Sequence, residues 1–394
     1  MSWKQRDDMN PFWFRKSNQI PPRPKRVLMI HPFGIGDGLF ITPILRALKE
    51  HGVKRVDLLL GSRTRELFEF NPYVDEIFEW DKSPVVGFRQ KWNRWRKLME
   101  LSAKLRKVRY DAAFDFSPTG HYAFMSFLFF WITIRIGFNF KNRGLLLTHK
   151  QELPNGYVDR SVVEYYLGLL KFLGISPRSN QSELFLSETD QMTAQEILRK
   201  YHLSDGVPFL AVAPGGGESW GKDARLKRWP VRHFAKLIQE LRSRYPLAFE
   251  KVLIFGGQNE RFLGDQLLEE LSGIAADNLC GSLSIRQAAA LIKRAAVLIG
   301  NDGGLLHIAH AVGTPVIGIF GPVDSVVYGP YPPGLKVMTV SNEGPACRPC
   351  YQRFRYQAAC QGIECLSRLL PERILNEICL RNFFNQPSLS ALPK

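Results

Sequence analysis

The sequence predicts an α/β protein made of two Rossmann-like parallel-sheet domains that face each other across a cleft. Three observations lead there. Short apolar runs, the length of buried strands, alternate with amphipathic helical stretches, the pattern of parallel sheets with crossover helices. Apolar runs in each half, "RVLMIH" and "PFLAVA", end in glycine-rich turns followed by helical sequence. The 394 residues, 45% of them hydrophobic, are too many for one ordinary core and too apolar for a largely disordered chain.

Residues 1–25 are polar, aromatic and proline-rich, end in "PPRPKR", and read as an extended basic–aromatic arm. The N-terminal domain is placed at 26–190. Its first strand is "RVLMIH", followed by the helix "TPILRALKEHG", with proline in its first turn and glycine after its end. "RVDLLLG" is a second strand. A basic helix covers Trp92 to Lys107, and "YDAAFDFSP" is a third strand. "RIGFNFKNRGLLLTH" gives a strand and a loop, and helical residues from Val162 to Leu173 close the domain. A hinge is expected between Ser176 and Asp205. The C-terminal domain, 191–370, continues with "PFLAVAPGGG", the helix "PVRHFAKLIQELRSRY", and the strands "KVLIFGG", "AAVLIGND" and "TPVIGIFGP". A helix and tail fill 371–394.

The longest apolar run, Tyr122 to Ile134, is shorter than the roughly 20 residues a spanning helix needs and reads as a buried helix rather than an interfacial one. No apolar leader core precedes Pro21, so a cytoplasmic protein is expected. The formal charge is +16, from 53 Lys+Arg against 37 Asp+Glu. That excess calls for nucleic acid, an acidic membrane face or a phosphorylated substrate, unless it is only a solvated basic surface. In "WKQRDDMNPFWFRK" and "FRQKWNRWRKL" the cations are mixed with Trp and Phe. This mixture suits peripheral attachment to an anionic membrane rather than nucleic acid.

The candidate chemistry lies in the turns. Gly34, Gly36 and Gly38 surround Asp37, where a dinucleotide fold would seat a phosphate. A carboxylate there repels phosphate, and no acidic residue ends the second strand to hold a ribose, which argues against a dehydrogenase. Asp37 could merely cap the next helix. The flanking glycines instead leave it uncrowded, able to take a proton from a closely approaching substrate. In the second half, "APGGGESWGKDARLKRWP" offers open backbone N–H groups with Lys222, Lys227 and Arg228, a diphosphate cradle. "GNDGGLLHIAHAVG" puts Asp302, Gly303 and Gly304 at a helix start, with His307 in its first turns. No paired-aspartate motif stands near the cradle, so no essential catalytic metal is expected. Cys347, Cys350, Cys360 and Cys365 could hold one structural zinc or iron ion, or remain four free thiols. Cys280 and Cys379 read as buried thiols.

The stretches "GDGLFITPILRALK", "RIGFNFKNRGLLLTH", "KRWPVRHFAKL" and "NDGGLLHIAHAVGTPVIGIFGPVD" resemble the motifs of glycosyltransferase family 9, the ADP-heptose:lipopolysaccharide heptosyltransferases, in family order from Val27 to Leu380. The resemblance implies a GT-B fold, with acceptor on the N-terminal domain and nucleotide sugar on the C-terminal one. It implies inverting transfer of heptose from ADP-heptose to the phosphorylated lipopolysaccharide inner core, a glycolipid at the inner membrane. Asp37 then matches the general base. Gly36, Thr42, Lys227, Glu260, Asp302, Gly303, Gly304 and His307 match substrate-binding positions, with Glu260 toward the ribose. Arg135, Lys141 and Arg143 suit an anionic acceptor. Gly303 stands where the family often has threonine, and the segment between Gly215 and Lys227 is long, which bears on the donor more than on the reaction. Some relatives that glycosylate proteins carry a cysteine finger near this end. Two alternatives remain: a same-fold transferase using another nucleotide sugar or a protein acceptor, and a non-catalytic nucleotide-sugar sensor.

Overall fold

The computed structural model describes residues 24–81, 87–204, 206–217, 221–356, 360 and 362–385. The arm from Trp3 to Lys16 and the last nine residues of the tail lie outside them. Two six-stranded parallel sheets form the frame. The first contains β1 (Arg26–His31), β2 (Arg55–Leu60), β3 (Glu76–Glu79), β4 (Ala112–Asp115), β5 (Ile134–Asn139) and β6 (His149–Glu152), in the order β3-β2-β1-β4-β5-β6. The second contains β7 (Phe209–Ala213), β8 (Lys251–Ile254), β9 (Ala276–Asn278), β10 (Val297–Asn301), β11 (Val316–Phe320) and β12 (Val337–Ser341), in the order β12-β11-β10-β7-β8-β9. Both are the doubly wound order, reversing beside the first strand of each half. Ligands bind outside the carboxyl ends of the strands at such reversals. A two-stranded antiparallel hairpin, β13 (Tyr351–Gln352) and β14 (Arg355–Tyr356), follows.

The central strands form because their side chains are apolar on both faces. Val27 to Ile30 and Val297 to Ile299 are fully buried. The helix Thr42–Glu50 starts at Pro43, which lacks only an N–H that the first turn leaves unpaired anyway. It presents Ile44, Leu45 and Leu48, all fully buried. Each such side chain contributes roughly 1.5–3 kcal/mol, enough to hold a helix too short to persist alone. One continuous core runs through both domains, joining Phe40, Tyr157 and Tyr166 to Leu306 and Val327. Separate cores cover the outer face of each sheet.

The structure departs from the sequence-based expectation in several places. "YDAAFDFSP" forms the fourth strand along the chain, because "EIFE" makes an edge strand, β3, with only Phe78 buried. The apolar run Tyr122–Ile134 is no single helix: the helix His121–Leu128 ends before β5, and Phe124 and Leu128 are exposed. Within the expected hinge, Ser187 caps a helix, Glu188–Lys200, whose Asp190 pairs with Arg286 of the second domain at 2.8 Å. Cys379 is exposed rather than buried, whereas Cys280 is buried. Among the described residues no helix is long and apolar enough to cross a membrane.

Candidate active site

A cavity of about 590 Å³ lies between the carboxyl ends of the two sheets. It is lined by Gly34 to Asp37 from the first domain, and by Gly215 to Gly217, Lys227, Glu260, Asp302 to Gly304 and His307 from the second. Residues as distant in the chain as Gly34 and Tyr351 therefore share one chamber.

Asp37 sits in the first turn of a short helix, Ile35–Leu39, whose cap residue is Gly34. The cap position belongs to Gly34, so capping does not explain the place of Asp37. Asp37 lines the cavity and is half-buried, and the surrounding protein strips away much of its water. Desolvation pushes its pKa up from 3.8 to about 6. The Lys227 ammonium acts the other way, and Asp302 adds to the rise. A helix N-terminus favours the ionised carboxylate, but burial outweighs it, and the group titrates near neutrality. This is the property a general base needs.

The opposite wall is built by glycine loops that interlock. A Cβ on Gly303 would stand 2.8 Å from the Gly216 carbonyl carbon, and one on Gly304 2.9 Å from Ile35 Cβ. A Cβ on Gly36 would come 2.6 Å from the His307 ring. Only glycine lets the two domains approach this closely. Asn301, at the end of β10, fixes the loops: its amide donates to the Pro214 carbonyl at 2.6 Å, and its oxygen accepts the Trp229 N–H at 3.1 Å.

Lys227 and Asp302 form a buried ion pair of 2.6 Å beside these loops. His307 is buried, edge-on to Phe40 at 4.9 Å between ring centres. Desolvation lowers it to about 4, so it is a neutral imidazole at physiological pH. Glu260 is buried and accepts the N–H groups of Gly217 and Gly257, both at 2.9 Å, which ties two loops of the wall together.

Two expected site residues are elsewhere. Thr42 is fully buried and does not line the cavity. Its hydroxyl donates to the Leu39 carbonyl at 2.8 Å and accepts the Glu183 N–H at 3.0 Å, binding the helix start to the interdomain connector. Arg135 is buried, and its guanidinium donates to the carbonyls of Leu146, Ile132 and Thr133; it is a structural brace with no face for an acceptor. Conversely, Tyr328, Tyr351 and Ser62 to Thr64 line the cavity and were not anticipated. For Ser62 the signal was present, a Gly-Ser turn directly after a buried strand next to β1. Tyr328 and Tyr351 stack edge-on at 5.6 Å, and the nearby Asp37 contributes to holding both hydroxyls protonated after burial.

The four cysteines come together around Tyr356, whose hydroxyl hydrogen-bonds Cys350 and Cys360, while Cys347 bonds Cys350. Burial raises Cys350 and Cys365 to about 11. Among the described residues no three donors stand in a chelating arrangement.

The chain has relatives of known family and fold. Lipopolysaccharide heptosyltransferase 2 of Escherichia coli K12 is 24% identical over 368 residues, covering 90% of this chain and 97% of that protein. The glycosyl transferase family 9 structure from Veillonella parvula has a TM-score of 0.72 at 19% identity, covering 91% and 97% of the two chains. The Escherichia coli heptosyltransferase WaaC with ADP has a TM-score of 0.62 at 19% identity, covering 90% and 99%. These structures establish the GT-B frame. The model of glycosyltransferase family 9 (heptosyltransferase) matches residues 98–357, and the chain is a glycosyltransferase belonging to that family.

Proposed function

We propose that this chain moves a heptose from ADP-heptose to the phosphorylated inner core of lipopolysaccharide, by a single displacement that inverts the anomeric centre. The observation that carries the reading is Asp37, desolvated and titrating near 6, set in one cavity with Lys227 and the glycine loops of the second domain across the interdomain cleft. Asp37 takes the proton of the acceptor hydroxyl as that oxygen attacks the anomeric carbon. The bond to the diphosphate breaks, and the charge gathering on the leaving ADP meets Lys227, the N–H groups of Gly303 and Gly304, and the neutral His307 as a hydrogen-bonding partner. Asp302 orients Lys227, and Glu260, its two backbone bonds made, keeps lone pairs for the ribose. The relatives' names favour heptose as the sugar and lipopolysaccharide as the acceptor. No step requires a catalytic metal.

The reading places the enzyme at the cytoplasmic face of the inner membrane. The helix Phe88–Val108 supports this by exposing Phe88, Trp92 and Trp95 among its cations, beside exposed Trp131. Thiolate sulfur is the donor type that zinc and iron prefer, and we extend the proposal to one such ion that would draw the four neighbouring thiols into a tetrahedral set at the hairpin's base. The Cys350 and Cys365 thiols, held protonated by burial, become thiolates only beside a cation, so elemental analysis of protein purified without added metal decides between this ion and free thiols.

The test of the function is a donor series. Purified protein is given ADP-heptose, ADP-glucose, UDP-glucose or GDP-mannose, with deacylated core or with a protein acceptor. Glycosyl product from ADP-heptose and core supports the proposal. Product from another pair selects a different transferase, and nucleotide binding without any product selects the sensor.

A further inference from the structure

The hairpin β13–β14 leaves the second domain between Cys350 and Cys360 and lies against the first. Tyr351, at its base, lines the cavity. At its tip, Arg353 donates to Asn155 Oδ1 at 2.9 Å. The Phe354 ring stands edge-on to Phe140 at 4.8 Å and to Tyr157 at 5.1 Å. Gly156 has φ of +78°, and a Cβ there would come 3.2 Å from Arg353 Cα, so the backbones touch where only glycine fits easily.

The loop that follows Phe140 carries Lys141 and Arg143. It is fixed in place, because Asn139 Oδ1 accepts the Gly144 N–H at 2.9 Å and Asn139 Nδ2 donates to Glu152 at 2.7 Å. Gly120, at φ +70°, leaves room for the Arg143 carbonyl. The two packed turns share an uncommon backbone: Lys141, Asn142, Arg353 and Phe354 all have φ between 51° and 62°. Left-handed non-glycine residues cost of order 1–3 kcal/mol each and persist where surrounding contacts impose them.

Lys141, Arg143, Arg353 and Arg355 are all exposed. Among the described residues none of them pairs with a carboxylate. Their charges repel: Arg355 foremost, with Arg143 and Arg353, lowers the Lys141 ammonium. Two domains thus hold four like charges together, with no carboxylate partner among the described residues, on the hairpin and loop that adjoin the cavity-lining Tyr351. Such an arrangement is relieved by a multiply charged anion, and Arg guanidinium binds phosphate through paired donors.

We infer that Lys141 and Arg143 of the first domain and Arg353 and Arg355 of the cysteine-based hairpin form one composite site for the phosphate groups of the acceptor, with Tyr351 linking that site to the cleft. The inference rests on the reading of the chain as a transferase to a phosphorylated acceptor. It gives the cysteine segment a part in acceptor binding as well as in folding, and it makes the site complete only when the hairpin is docked.

The experiment uses deacylated lipopolysaccharide core, with phosphates intact or removed, titrated calorimetrically into the full chain, with heptose transfer assayed on the same samples. Arg353→Gln/Arg355→Gln and Lys141→Gln/Arg143→Gln are compared with the single variant Arg355→Gln, and ADP affinity reports an intact second domain. The expected result is binding of the phosphorylated core about tenfold or more tighter than the stripped core, lost in either double variant, with stripped-core and ADP affinities unchanged. Equal binding of both cores, equal weakening of both by the variants, or an effect confined to Lys141 and Arg143 overturns the composite site. Transfer without phosphate discrimination overturns the site and leaves the heptosyl reading standing. Discrimination without transfer does the reverse.

Discussion

Asp37→Asn replaces one oxygen by an amide and leaves the shape of the glycine loop intact. Burial has raised Asp37 from 3.8 to about 6, so the folded protein holds that proton more tightly than the unfolded chain does. The stabilisation from this proton is therefore fully present below the unfolded value and is lost as pH rises through about 6. At pH 8 the ionised carboxyl weakens the fold. A shift of about two units corresponds to about 3 kcal/mol, and the access of cleft water to this half-buried side chain reduces it to about 1–3 kcal/mol. The asparagine variant is expected to recover that energy at pH 8, raising the melting temperature by about 1 °C for each kcal/mol. The gain should shrink toward pH 4. Turnover, followed as ADP release in the presence of acceptor, should fall by about 100-fold or more. Melting curves at pH 5 and 8 beside turnover on the same preparations are the assay. A variant that melts lower than wild type at pH 8, or keeps more than about a tenth of turnover, refutes the account of a desolvated base.

Four further outcomes follow from the structure. Wild-type kcat/KM should rise with pH through about 6, since the base must be ionised, and this limb should vanish from the residual activity of Asp37→Asn. Lys227→Ala should cost about 3–5 kcal/mol in urea denaturation by stranding the buried Asp302 carboxylate, whereas Lys227→Ala/Asp302→Asn should regain stability but not ADP affinity; unchanged ADP affinity in both rejects the cradle. His307→Ala should weaken ADP binding equally at pH 6 and 8, because the imidazole is already neutral, and a loss confined to pH 6 would show a charged histidine instead. Binding to anionic vesicles should exceed binding to neutral ones, fall as salt rises, and drop on Trp92→Ala/Trp95→Ala; equal binding to both vesicles removes the membrane face.

What could be read in advance was local. β1 followed by three glycines, and β10 followed by Asp302-Gly303-Gly304, are strand-turn-helix patterns contained in a few residues, and both turns face the cleft. The edge strands β3 and β9 were missed because "EIFE" and "ADN" bury little and lack an apolar run. Thr42 and Arg135 were misassigned for a different reason. Their roles depend on partners, the Glu183 N–H and three nearby carbonyls, that composition does not reveal. The neutrality of His307 and the near-neutral titration of Asp37 are consequences of burial, which exists only once the domains meet. The hairpin carrying Tyr351 has strands of two residues each, too short for any periodicity, and its segment was singled out for its cysteines alone.

The central claim is that Asp37 and the glycine-loop wall carry out one direct displacement on a nucleotide-linked heptose. The most direct measurement is the NMR anomeric configuration of the new linkage, made by the purified protein from ADP-heptose of known configuration and a phosphorylated core acceptor. The account predicts a single new glycosidic bond with configuration opposite to that of the donor, absent with Asp37→Asn. Retained configuration, or donor hydrolysis with no bond to the acceptor, would contradict it.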